Sequence, residues 1–176
     1  MPDRGFTLVE VLVAMLVLCA AALGGIQLVA VATEAMGRAR AESLAASLAA
    51  SRMEQLRSLR FEFDNTGLRV TDTTTGLATD PPGPGGAGLS PSGGSLAANV
   101  NGLADFLGGA GEWVGSGTAV PSGAAFVRRW SIEAADAGGD LLVLQVLVRP
   151  VAAGSPGAQR ARGEARYVSL LARTRR

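Results

Sequence analysis

Apolar positions along this chain fall into three regimes. From Phe6 to about Val31 nearly every position is apolar, and only Thr7, Glu10 and Gln27 are clearly polar. From Thr33 to Arg60 the apolar positions thin to a stripe. Leu44, Leu48, Leu56 and Leu59 follow helical spacing, continuing to Phe63, with Ala45, Ala49 and Met53 alongside. Arg38, Arg40, Glu42, Arg52, Glu54 and Arg57 fall on the other faces. No proline interrupts residues 6–60 and alanine is abundant, so the pattern predicts one continuous helix. Its first half is apolar all round, and its second half has one stripe that needs a sheet to cover it. The apolar half is long enough to span a bilayer, which takes roughly 20 predominantly apolar residues.

The third regime is mixed. Leu68-Arg69-Val70-Thr71 suits a short strand. Gly76 to Gly123 is rich in Gly, Pro, Ser and Ala, most densely at Asp80-Pro81-Pro82-Gly83-Pro84-Gly85-Gly86. Few large apolar residues there offset the ordering entropy, which predicts a flexible loop over Gly76–Ser95. Leu96–Leu107 is expected to hold a short helical turn through Leu103, Phe106 and Leu107. Three strands follow, Ala125–Ala134, Leu141–Pro150 and Gly163–Arg173, separated by a Gly138-Gly139-Asp140 turn and an Ala152–Ala158 loop. The middle strand is almost continuously apolar, so it is expected to be central, with one face under the long helix. Pro150 ends it. The expected fold class is α+β, a long N-terminal helix packed on a small C-terminal antiparallel sheet. Its expected segments are a short polar leader at 1–5, an apolar helix at 6–31, an amphipathic helix at 32–61, a variable loop region at 62–123 and the sheet at 124–176.

Glu10 is the anomaly in the first regime. An ionisable group at the centre of a spanning helix costs at least about 2.5–3.5 kcal/mol on insertion scales. No basic residue lies within helical reach in the apolar run, and the nearest in sequence is Arg4. Either Glu10 is protonated, or its partner belongs to another molecule.

Gly5-Phe6-Thr7-Leu8-Val9-Glu10, at the start of a spanning segment, resembles the class III signal of type IV pilins and type II secretion pseudopilins. The resemblance implies a type IV pilin-like fold and cleavage by a prepilin peptidase between Gly5 and Phe6. It further implies N-methylation of Phe6 and pairing of Glu10 with the N-terminal ammonium of a neighbouring subunit during assembly. An opposite charge in a low-dielectric bundle strongly favours the ionised carboxylate, which agrees with that role. The implied location is the bacterial inner membrane, single-pass with an extracytoplasmic C-terminal domain, and then a filament. The run Arg128-Arg129-Trp130, a turn, an apolar strand and a final strand is similar to the C-terminal part of PilV-like minor pilins and, next, of I-type minor pseudopilins. Three functions stay open: a minor pilin of a pilus, a minor pseudopilin of type II secretion, and an unprocessed membrane-anchored binding module. The implied partners are the prepilin peptidase, other minor and major pilins or pseudopilins, and the inner membrane.

Composition narrows this further. The 176 residues suffice for one domain plus an anchor, and the net charge of +1 makes no electrostatic case for nucleic acid. Arg128-Arg129 with Trp130 and the Arg173, Arg175, Arg176 tail are read as a solvated strand edge and a charged terminus. Cys19 is the only cysteine, so no intramolecular disulfide forms. Many major pilins close their C-terminal region with a disulfide, and this departure favours a minor subunit. Cys19 does not suit a lipoprotein signal, because Leu18 stands where a small residue normally precedes the lipidated cysteine. An ordinary secretory cut near Ala20-Ala21-Ala22 would leave Glu10 in the signal's apolar core. With no His, the common general base and metal ligand is missing. Gly83–Gly88 is followed by no Gly-Lys-Ser/Thr, so it is not a phosphate loop. Glu133, Asp136 and Asp140 lack EF-hand spacing, although some pseudopilins bind calcium. No enzyme activity and no cofactor are expected.

Overall fold

A computed structural model describes residues 7–151 and 163–175. The chain forms one long helix, α1 (Leu8–Ser58), and ten strands: β1 (Phe61–Phe63), β2 (Arg69–Thr71), β3 (Thr75–Gly76), β4 (Gly83–Pro84), β5 (Ala104–Leu107), β6 (Trp113–Ser116), β7 (Phe126–Ala134), β8 (Leu141–Pro150), β9 (Ala165–Ala172) and β10 (Thr174–Arg175). It divides into two compact units, Met1–Ala39 and Arg40–Arg176. Among the described residues the first unit is helix and its entry. The second holds the rest of α1 and all the strands.

In the second unit a five-stranded antiparallel sheet runs in the order β6-β5-β7-β8-β9. The register pairs Arg128 with Val148, Trp130 with Val146 and Ile132 with Leu144, so these residues share one face. That face meets Ala45, Leu48, Ala49, Met53 and Leu56 of α1 in the hydrophobic core. The arrangement is α+β, a long N-terminal helix with a small antiparallel sheet, and is consistent with a type IV pilin-like fold. β8 is internal to the sheet and covered by the helix on one face, as its apolar run predicts. A smaller sheet, in the order β10-β1-β2, contains the parallel pair β1–β10.

Two expectations fail in the middle of the chain. Leu96–Leu107 does not end in a helical turn. Its last residues form β5, a strand buried at every position between β6 and β7. The sheet therefore starts before residue 124, and β6 comes from the same Gly-rich stretch. Gly76–Ser95 is not an empty loop either. Leu77, Ala78 and Leu89 are in the core, and β3 pairs with β4. Its glycines serve close packing. A Cβ on Gly86 would lie 2.1 Å from the Cα of Gly76. A Cβ on Gly88, where φ is +50°, would lie 2.3 Å from the carbonyl oxygen of Asp72.

Arg52 departs further from expectation. It stands on the buried face of α1, 2% exposed, and not on a solvent face. Its Nη2 donates to Asp105 Oδ2 at 2.6 Å, and its Nη1 donates to the Leu77 carbonyl. The guanidinium carbon lies 4.6 Å from the centroid of the Trp130 ring. Arg128 grips the same carboxylate with two bonds, Nε to Oδ1 at 3.0 Å and Nη2 to Oδ2 at 2.7 Å. Its Nη1 donates to the Leu48 carbonyl at 3.1 Å. Asp105 itself is fully buried. Burial, helped by the nearby Arg128 charge, lowers the Arg52 pKa to about 10, while Asp105 pulls it upward. Arg128 is therefore not part of a solvated strand edge, because its charge is engaged inside.

A second polar lock closes the C-terminus. Arg173 lies between β9 and β10 with its side chain 4% exposed. It donates to Asp140 Oδ1 at 2.9 Å, the Val70 carbonyl at 2.9 Å and Thr71 Oγ1 at 3.1 Å. Its guanidinium sits 3.9 Å from the Phe61 ring centroid. Arg69 donates to both oxygens of Asp140. The bonds from Arg69, then those from Arg173, hold the Asp140 carboxyl below its ordinary pKa.

Two outcomes follow. Asp105→Ala leaves two buried guanidinium groups without their carboxylate and should cost about 3–5 kcal/mol. Replacing Asp105, Arg52 and Arg128 together with apolar residues of similar volume should cost much less, and urea unfolding of the full chain in detergent compares the two. Because the folded pKa of Asp140 is depressed, its contribution is present above the unfolded value of 3.8 and lost as pH falls through the folded one. Hydrogen exchange of the Phe63 and Thr174 amides, corrected for intrinsic rates, should therefore quicken as pH drops below 3.8. The acid-dependent increase should be absent in Asp140→Asn.

Candidate functional site

The candidate site is the entry of α1. Thr7 is its cap. The Glu10 amide donates to Thr7 Oγ1 at 3.3 Å and to the Thr7 carbonyl at 3.0 Å, and the Val11 amide reaches the same carbonyl at 3.2 Å. A hydroxyl at this position satisfies a helix N–H that has no partner within the helix. Thr7 and Glu10 have the spacing of a capping box, Thr-x-x-Glu. The sequence reading overlooked this cap, although that spacing could have disclosed it. The cap sets where the helix starts, and so sets Glu10 in the first turn.

A carboxylate in the first turn is favourably placed against the positive end of the helix dipole. What surrounds Glu10 is otherwise apolar. It borders a shallow groove with Val11, Ala14, Met15 and Leu18, residues that recur along one side of the helix. No basic side chain among the described residues pairs with Glu10. Every residue from 7 to 40 is exposed, including Leu8, Leu12, Leu16, Leu23, Ile26 and Val31. The helix is long and apolar enough to cross a membrane. Cys19 is exposed on it as a free thiol.

Of the expected site residues, Glu10 is thus placed at the helix entry, whereas Gly5 and Phe6 lie outside the described residues. The Ala152–Ala158 loop also lies outside them. Among the described residues no group of three or more His, Cys, Asp or Glu could hold a metal ion. The acids considered for calcium are engaged elsewhere. Asp136 accepts the Asp140 and Leu141 amides, and Asp140 is held by Arg69 and Arg173.

No curated protein and no solved structure matches this chain. A family model described as the prokaryotic N-terminal methylation motif matches residues 1–26. The match takes in Gly5, Phe6, the Thr7 cap, Glu10 and most of the apolar run, and it supports a type IV pilin-like or pseudopilin protein.

Proposed function

We propose that this chain is a minor type IV pilin. It waits in the bacterial inner membrane, loses residues 1–5 to a prepilin peptidase, and then enters a filament or its tip complex. The observation that carries this reading is the placement of Glu10. It occupies the first turn of a helix whose exposed apolar run offers it no countercharge. Two demands follow: an apolar environment for the run and a cation for the carboxylate.

Cleavage after Gly5 would create the cation. The freed Phe6 amine of a neighbouring subunit would meet Glu10. At a separation of about 4 Å and an effective dielectric of about 20, such a pair is worth on the order of 4 kcal/mol. The same term opposes an unpaired subunit, so it favours addition of subunits in register. In this reading the domain after residue 40 packs against other subunits, and the chain is a structural part and not an enzyme.

A minor pseudopilin of type II secretion is the second reading. The single Cys19 favours either minor role over a disulfide-closed major subunit. What the neighbouring genes encode would separate these two. The reading of another class, an unprocessed membrane-anchored binding module, predicts an intact N-terminus.

Mass spectrometry of the native protein is expected to show a chain beginning at N-methylated Phe6. An intact Met1 in the working protein rejects the proposal. Glu10→Val should be cleaved normally yet be depleted at least tenfold from sheared filaments, as read by immunoblot. Normal incorporation of that variant rejects the pairing role.

A further inference from the structure

The face of the large sheet turned away from α1 carries an unbalanced pair of arginines. The register sets Val127 opposite Arg149 and Arg129 opposite Leu147. Arg129 and Arg149 therefore share that face as diagonal neighbours on adjacent strands, within reach of long side chains. They line a cleft of about 240 Å³ with Asn99, Val120, Val127, Pro150 and Val151.

Like charges set this close repel, and the cleft supplies no acid of its own. Among the described residues Arg129 donates to neutral oxygens, Asn99 Oδ1 at 2.8 Å and the Leu96 and Ala97 carbonyls at 3.0 and 3.1 Å. Among the described residues no carboxylate forms an ion pair with it. Residues 152–162, which follow Val151 in sequence, contain Arg160 and Arg162 and no Asp or Glu. Among the described residues Arg149 pairs with Glu164, at 3.1 Å through Nε. Among the described residues one guanidinium charge, that of Arg129, therefore has no carboxylate partner. Partial burial and the Arg149 charge both lower the Arg129 pKa, the expected response of a cation lacking a counterion.

We propose that this cleft receives a carboxylate on a short aliphatic stem, supplied by an aspartate or glutamate side chain of a neighbouring subunit. The planar fork of a guanidinium matches a carboxylate with two parallel hydrogen bonds. Val120, Val127, Pro150 and Val151 provide apolar wall for the methylenes that carry it. A bare oxyanion would use the arginines and leave that wall unused. The neighbouring subunit as source rests on the assembly reading above, whereas the ligand chemistry does not.

The test is calorimetric titration of the full chain in neutral detergent with glutarate and, separately, with inorganic phosphate. Glutarate should bind saturably with a Kd of about 1–10 mM, the weak range for a single anchoring group, and more tightly than phosphate. Arg129→Gln should weaken it at least tenfold. Because Arg129 also holds the 96–99 segment, Val120→Glu provides a second variant on an exposed wall position. It supplies a carboxylate from the chain itself, and should abolish glutarate binding while raising Tm. No saturable binding, tighter binding of phosphate, or unchanged binding in both variants overturns the cleft. A micromolar Kd assigns it to a free small acid and overturns the subunit as its source. In cells, Val120→Glu should be processed normally yet enter filaments less efficiently, and full incorporation likewise overturns that source. A chain that binds glutarate but keeps Met1 overturns the assembly reading, and with it the subunit source, while the cleft chemistry stands.

Discussion

One buried carboxylate organises the second unit. Asp105 on β5 receives Arg52 from α1 and Arg128 from β7, so three elements distant in sequence meet at one group. Burying three charges costs several kcal/mol per ion before their attraction is counted. The network is therefore weak as a source of net stability. Its value is geometric. A stripe of Ala, Leu and Met can slide against a sheet by a helical turn and still bury apolar surface. The bonds from Arg128 to Asp105 and to the Leu48 carbonyl, with Arg52 stacked on Trp130, are directional and would be lost if the helix slid by a turn. We infer that the triad sets how α1 lies on the sheet.

The two units solve opposite problems. As far as about Val31, α1 has apolar side chains on all sides, all of them exposed among the described residues. Such a surface is tolerable only in lipid or against other apolar helices. After Arg40, the helix buries one face, and Arg52 on that face is paired with Asp105 inside the fold. The few polar groups in the apolar half gain significance from this contrast. Thr7 completes the helix start internally, whereas Glu10 has no cationic partner among the described residues.

Without a disulfide, the second unit uses arginine to close its periphery. Arg173 ties the chain end to β2 and to the turn between β7 and β8, and its guanidinium rests on Phe61. Arg52 and Arg128 act similarly at the centre. Arg129 is the exception, because its partners are all neutral. Arg52 and Arg128, the buried arginines among the described residues, are paired with an acid, and the half-buried Arg129 differs from them on the outer face of the sheet.

The long helix, the three long C-terminal strands and the anomaly of Glu10 were legible in the residues alone. Each depends on local periodicity, or on one charged group in an apolar run, and neither requires a distant partner. The roles of Arg52, Arg128 and Asp105 were not legible, since an arginine destined for a buried ion triad is indistinguishable in sequence from one on a solvent face. Nor was β5, which is too short for a clear alternation and becomes a strand through pairing with β6 and β7. The glycines of 76–88 suggested flexibility, but Gly86 and Gly88 are there because another backbone segment leaves no room for a Cβ. Local pattern decided where the chain is helical, where it is apolar and where its long strands run; tertiary structure alone decided which charges are internal, because pairing energy depends on groups that only folding brings together.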